Sequence, residues 1–142
     1  MNRLSIALVV SLAALGACNK QEPAEETKRD VTKAQAQKQE DVAAAQADAT
    51  KDRADAQHEV AAEQKQGDPS GTAAAQKDLA QVSADDQYKI AVERAEGDYK
   101  IAKEQCEALP AAQQGACKDE AKARYEGAKA EAERVRDATK PR

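Results

Sequence analysis

The chain has no tryptophan and no phenylalanine, and its aromatic residues are Tyr88, Tyr99 and Tyr125. Alanine dominates the 41% hydrophobic content and buries little area per residue, so a sizeable globular core is out of reach. Glycine and proline are scarce, at 6 and 4 in 142 residues. Few turns are then available, which leaves long helices or disorder. Histidine occurs once, as His58. A metal centre needs several converging ligands, so His58 with Asp55, Glu59 and Glu63 reads as a solvated helix face and no metal site is expected. The chain has no phosphate-binding glycine loop and no nucleophile–histidine arrangement. Paired-carboxylate catalysis needs a cleft that splits two pKa values, and this composition builds none. The expectation is no enzyme, no catalytic residues, no cofactor and no small-molecule substrate. Lys and Arg number 22 against 26 Asp and Glu, a formal charge of −4. Both signs are interspersed and no basic block occurs, which argues against nucleic acid as a partner.

One long apolar run is present, Leu4 to Leu15, preceded by Asn2 and Arg3. It is shorter than the roughly 20 residues of a membrane-spanning helix and suits a secretory signal. It ends in Leu15-Gly16-Ala17-Cys18. A leucine, two small residues and a cysteine at this place resemble the bacterial lipoprotein signal peptide. An ordinary secretory signal cut near Ala17-Cys18 is the alternative. The resemblance implies that residues 1–17 are removed and that acylated (palmitate-type) Cys18 becomes the mature N-terminus, with the lipid bilayer as its partner. Each buried acyl CH₂ is worth about 0.8 kcal/mol, and two or more chains anchor a body stably. The body would face the periplasm. Asn19, where an aspartate would signal inner-membrane retention, favours the outer membrane.

Residues 18–29, with Pro23 and several glutamates, read as a tether, and Thr27 or Asp30 is the expected N-cap of the next helix. Residues 30–66 read as an Ala-rich helix, because Val31 to Lys65 contains no Gly or Pro. Its apolar face is thin: Val31, Val42, Ala45, Ala49, Ala56 and Val60, interrupted by Arg53. A helix of about 35 residues spans about 50 Å, so this segment is expected to act as a spacer. Gly67-Asp68-Pro69-Ser70-Gly71 combines flexible and helix-stopping residues, so 67–71 is read as a linker. Residues 72–138 are read as a helical hairpin domain and 139–142 as a tail. Ser83-Ala84-Asp85-Asp86 offers a second N-cap signal, leaving open whether one helix runs from Thr72 to Leu109 or a new one begins near Ser83.

In the hairpin segment, Tyr88-Lys89-Ile90-Ala91 recurs as Tyr99-Lys100-Ile101-Ala102, 11 residues on. Eleven residues make close to three helical turns, so the repeats share a face. The stripe Tyr88, Ala91, Ala95, Tyr99, Ala102, Cys106, Leu109 steps by 3 or 4 throughout, which is helix periodicity. Pro110 ends this helix or sits in its turn. A second stripe follows: Cys117, Ala121, Tyr125, Ala128, Ala132, Val135. Folding the chain back sets Cys106 opposite Cys117, Ala102 opposite Ala121, Ala95 opposite Ala128, Ala91 opposite Ala132 and Tyr88 opposite Val135. Tyr99 then stands beside Arg124 and Tyr125. One register pairs both stripes. The expected fold is therefore all-α, a long Ala-rich helix plus a C-terminal antiparallel helical hairpin closed by a Cys106–Cys117 disulfide. Closing a loop of this size adds about 3 kcal/mol, and export puts the thiols in an oxidising compartment. Two free buried cysteines are the alternative. The pair lacks the Cys-x-x-Cys spacing of a redox site.

The Ala/Lys/Glu/Gln-rich run from Lys33 to Lys65 resembles the long helical domain of TolA-type envelope proteins. Tyr99 to Cys106, with Cys117 to Tyr125, is similar to a cysteine-pair helical segment of small proteobacterial envelope proteins. Ala47-Asp48-Ala49-Thr50-Lys51-Asp52-Arg53-Ala54 looks like the 11-residue motif of late-embryogenesis-abundant proteins. These likenesses imply a structural or protein-interaction lipoprotein of the cell envelope, its partner an unknown envelope protein or a second copy. In this reading the lipid anchors, the helix spaces (with coiled-coil-like character) and the cystine hairpin presents a rigid end. A stress or desiccation protectant is the alternative.

Overall fold

The computed structural model describes residues 22–140. The expected signal peptide, Cys18, the first residues of the tether and the last two residues of the tail lie outside the described residues. Among those described there are three helices and no strand: α1 (Ala24–Gln66), α2 (Pro69–Glu107) and α3 (Ala111–Thr139). The all-helical class expected from composition is the class observed.

The breaks fall where the sequence places its helix stoppers, and they are shorter than expected. Gly67 ends α1 in the left-handed conformation, φ 69°, with its N–H donating to the Gln64 carbonyl; glycine takes this conformation without steric penalty. Asp68 caps α2, its carboxylate accepting from the Ser70 N–H at 2.9 Å, and Pro69 fills the first helical position. The Gly71 and Ser70 amides hold the Asp68 carboxyl below its ordinary pKa. The expected linker over 67–71 thus contracts to Gly67-Asp68, because Pro69, Ser70 and Gly71 are tolerated in a first helical turn. α1 starts earlier than expected, after Pro23, and neither Thr27 nor Asp30 is its cap. Thr27 is instead buried inside the helix, donating to the Glu22 carboxylate at 3.0 Å. α2 passes through Ser83 without a break.

α2 is the shared middle of the fold. It packs against α1 and against α3, and α1 and α3 make no contact with each other among the described residues. The cause lies in two opposed faces of α2. Asp86 and Gly97 meet α1 through Arg53 and Lys38. Ala75, 11 residues before Asp86, continues that line and is buried with them. Ala84, Ala95 and Cys106, also 11 apart, face α3. At about 100° per residue, the two sets sit roughly half a turn from each other.

The 11-residue period seen in the sequence over Tyr88 and Tyr99 runs through all three helices. In α1 it carries Thr27, Lys38, Ala49 and Val60, of which Thr27 and Ala49 are buried. Two ion pairs across α1 and α2, Asp41–Lys100 and Asp52–Lys89, both at 3.9 Å, stand one period apart. In α3 it carries buried Ala121 and Ala132. An 11-residue repeat, about 3.67 residues per turn, keeps one face in line over many turns and favours a right-handed supercoil.

Ion pairs link the neighbouring helices at both ends. Lys38 pairs with Asp98 and Arg53 with Asp86; Glu107 pairs with Lys118, Asp85 with Lys140. The Glu22 N–H donates to the Glu107 carbonyl at 3.1 Å. The start of α1, the end of α2 and the Cys106–Cys117 pair therefore share one end of the molecule. This corrects one expectation: the Ala-rich helix does not stand alone as a spacer, because it lies along α2. The Gly67-Asp68 turn marks the other end of α1.

Gly97 leaves room for the Lys38 side chain of α1. A Cβ there would meet Lys38 Cγ, Cβ and Cδ, and the Lys38 ammonium bonds Asp98 beside it. Gly97→Ala is expected to destabilise the protein by about 1–2 kcal/mol despite alanine's better helix propensity. In a Lys38→Ala background the penalty should shrink without changing sign, because the Cβ of residue 38 would still meet the new methyl. Urea unfolding of the four-member cycle, followed by helical circular dichroism, measures the difference.

Candidate functional site

Two regions of the molecule carry more than packing. The first is the α2–α3 seam. Cys106 and Cys117 form a disulfide with Cα atoms 5.7 Å apart, and Cys106 is 1% exposed. Pro110 opens α3 here, and the Gln114 amide donates to the Glu107 and Leu109 carbonyls at 3.1 and 3.0 Å. That satisfies carbonyls left over at the end of α2. Further along, Tyr99 stacks on Tyr125, with centroids 5.4 Å apart and planes 18° from parallel. Lys103 and Lys129 lie 5.7 and 5.2 Å from these two rings.

The seam residues expected from the sequence meet unequally. Ala121 and Ala132 are buried; Tyr88, Ala91, Ala95, Tyr99, Ala102 and Tyr125 are half-buried; Ala128 and Val135 are exposed, Val135 at 43%. Val135 lines the groove between the two helices together with Tyr88. Arg136 adds a contact the sequence did not suggest, its guanidinium 4.6 Å from the Tyr88 ring, one 11-residue period after Tyr125. The cation gains from the ring face. The seam does not close as a row of alanines would. Ring-sized groups stand between the helices, and a groove of about 490 Å³ opens beside Ala91, Ala95 and Ala128.

The second region was not singled out from the sequence. Asp86 is buried at the α1–α2 interface, 2% exposed, in the series where Ala75 and Gly97 stand. Its Oδ2 has Arg53 Nε at 3.7 Å and no hydrogen-bond donor; its Oδ1 has Lys89 at 4.0 Å. Burial pushes the Asp86 carboxyl above its ordinary pKa, and Asp52 adds to this, while Lys89 and Arg53 oppose it. The signal was available. Extending the 11-residue repeat back from Gly97 puts a carboxylate in a line of small residues.

His58 is exposed. Among the described residues, Glu22, Glu26 and Asp30 form the one cluster whose oxygens come within 4.8 Å of one another, and it sits on the partly exposed first turns of α1. No helix among the described residues is long and apolar enough to cross a membrane. Comparison with family models, with curated proteins and with solved structures finds no match to this chain.

Three outcomes follow from these two regions. A carboxyl whose folded pKa is raised holds its proton in the native state at pH values where the unfolded chain has lost it, so its contribution to stability falls as pH rises through that window. Asp86→Asn removes this titration. Its stability relative to wild type should be greatest at pH 7 and shrink as pH falls towards the ordinary carboxylate range, measured as urea midpoints across that span. Asp86→Ala at pH 7 should be neutral or stabilising by about 1 kcal/mol, since Arg53 can turn to water. Reducing the cystine should destabilise α3 by about 3 kcal/mol, read as a lower thermal midpoint for the helical signal with reductant than without.

Proposed function

We propose that the protein is a lipid-anchored lipoprotein of the bacterial envelope, facing the periplasm, with a structural or protein-interaction role and no catalytic one. The observation that carries this reading is Leu15-Gly16-Ala17-Cys18 at the end of a 12-residue apolar run. An acylated Cys18 would stand six residues before Ala24, a span of at most about 20 Å. The helical layer would then start close to the bilayer. Asn19 favours the outer membrane.

In this reading α2 and α3 form an antiparallel hairpin clamped by the cystine. The disulfide, the Tyr99–Tyr125 stack and the Tyr88–Arg136 contact support that register. The clamp lies at the membrane-near end. The far end, about 60 Å away along a helix of 43 residues, is the Gly67-Asp68 turn, the part of the molecule held furthest into the periplasm for an envelope partner or a second copy.

Replacing Cys18 by serine in the native host tests the anchor. The expected result is loss of fatty-acid labelling and release from sedimented envelopes into the soluble fraction. Continued labelling and sedimentation of the serine variant would defeat the proposal.

A further inference from the structure

The three helices form a single layer with α2 in the middle, because α1 and α3 each pack on α2 and not on each other. A layer of helices ordinarily buries one of its faces against a second layer. The two faces of this one differ. One carries Lys89 and Lys100 with their carboxylate partners Asp52, Asp41 and Glu96, and a groove of about 410 Å³ lined by further carboxylates. At about 100° per residue, Arg94 and Asp98 stand on the side of α2 turned away from Lys89 and Lys100. That second face holds the groove of about 490 Å³ beside Ala91, Ala95 and Ala128, and a smaller one of about 260 Å³ along Val42 and Ala43 of α1. Arg94 lines both grooves, and it has no ion-pair or hydrogen-bond partner among the described residues.

The second face repeats with the period of 11. Leu79-Ala80, Ile90-Ala91 and Ile101-Ala102 follow one another at that spacing, and all six residues are half-buried. By helical position each Leu or Ile lies between Arg94 and the line of Ala75, Asp86 and Gly97 that meets α1. Each of these alanines lies between Asp98 and the line of Ala84, Ala95 and Cys106 that meets α3. The face therefore has a large aliphatic edge and a small one. Its charges divide in the same way, with Arg94 toward the large edge and Asp98 toward the small one. Lys38 holds Asp98 Oδ1, which leaves Oδ2 for a further donor. A two-fold axis laid along α2 exchanges the edges. It sets each Leu or Ile against the alanine that follows it in a second copy. It also sets Arg94 against Asp98 of the second copy, four residues or about 6 Å along the axis, within reach of a guanidinium. Antiparallel stacking would set isoleucine on isoleucine and alanine on alanine, crowding one edge and leaving a gap along the other.

We propose that this face is a homodimer interface, two copies stacked in parallel along α2. From Leu79 to Ala102 the face is about 35 Å long, and three helices at a spacing of about 8–10 Å make it about 30 Å wide. A footprint of about 1,000 Å² reaches the roughly 800 Å² per partner of a stable interface. The pairing rests on these residues and not on the lipid anchor. It agrees with that anchor, because parallel copies start α1 at the same end, where two acylated chains can enter one bilayer.

Sedimentation equilibrium of the full chain in density-matched neutral detergent is expected to give a dimer at micromolar concentration. Arg94→Asp alone and Asp98→Arg alone each turn both cross-pairs into like charges, and each should weaken dimerisation by about tenfold. The two variants mixed should pair with each other at close to wild-type affinity, because each supplies the charge that the other lacks. A role for Arg94 or Asp98 within one copy does not predict that rescue. Gln76→Cys and Gln87→Cys, at exposed positions one period apart on this face, should each cross-link to itself on oxidation, whereas antiparallel copies bring at most one of them together. Circular dichroism checks that each variant keeps its helix content; if Asp98→Arg does not fold, the two cysteine variants decide the matter. A monomeric wild type, which leaves the face to a different partner, mixed variants that do not pair, or cross-linking at fewer than both positions would each overturn the proposal. None of these outcomes alters fatty-acid labelling at Cys18, so the interface and the anchor fail separately.

Discussion

The fold depends on burying small side chains at intervals of 11 residues along a shared central helix. Alanine, glycine and cysteine allow helix axes to come close, but each contributes little apolar area. Stability therefore has to be gathered along length. α1 and α2 exceed the usual length of globular helices several-fold, and the period has to hold from end to end for the contacts to add. A repeat of about 3.5 residues favours a left-handed supercoil, and 11 residues in three turns a right-handed one. That is how Asp41–Lys100 and Asp52–Lys89 recur as equivalent pairs, and how Arg136 comes to stand where Tyr125 stood one period earlier.

The same economy explains why α2 lies between two neighbours that do not touch. A helix carrying one narrow small-residue stripe can bury one partner. α2 carries two such stripes on opposite sides, so its partners are held apart. The arrangement leaves grooves rather than a closed core: one beside the alanines of α2 and α3, one lined by carboxylates of α1 and α2. The cystine compensates at the end where α3 begins. Past Ala84, by contrast, α2 has α1 as its neighbour, and the contact there rests on Ala75 and its surroundings.

Much of this could be read in advance. The Cys106–Cys117 pair, the meeting of Tyr99 with Tyr125 and the break at Gly67 follow from spacing and residue type alone. Two features did not. The docking of α1 on α2 was hidden because the apolar face of α1 is thin and includes Lys38 and Arg53, which reads as solvated. Lys38 lies against α2 because Gly97 leaves room for its methylenes, a fit that exists only between two helices. The contact of Arg136 with Tyr88 was hidden too, because a guanidinium laid on a ring reads in sequence as a solvated charge.

The sequence by itself determined the helical class, the places where helices stop, and the disulfide, since these rest on backbone chemistry and on periods within one segment. The tertiary structure alone decided that α1 folds back, that the cystine shares an end with the start of α1, and that Asp86 is buried. Those depend on which surfaces meet across segments far apart in the chain. In a protein whose interfaces are built from alanine and the stems of charged residues, such surfaces look the same in sequence whether they end up buried or wet.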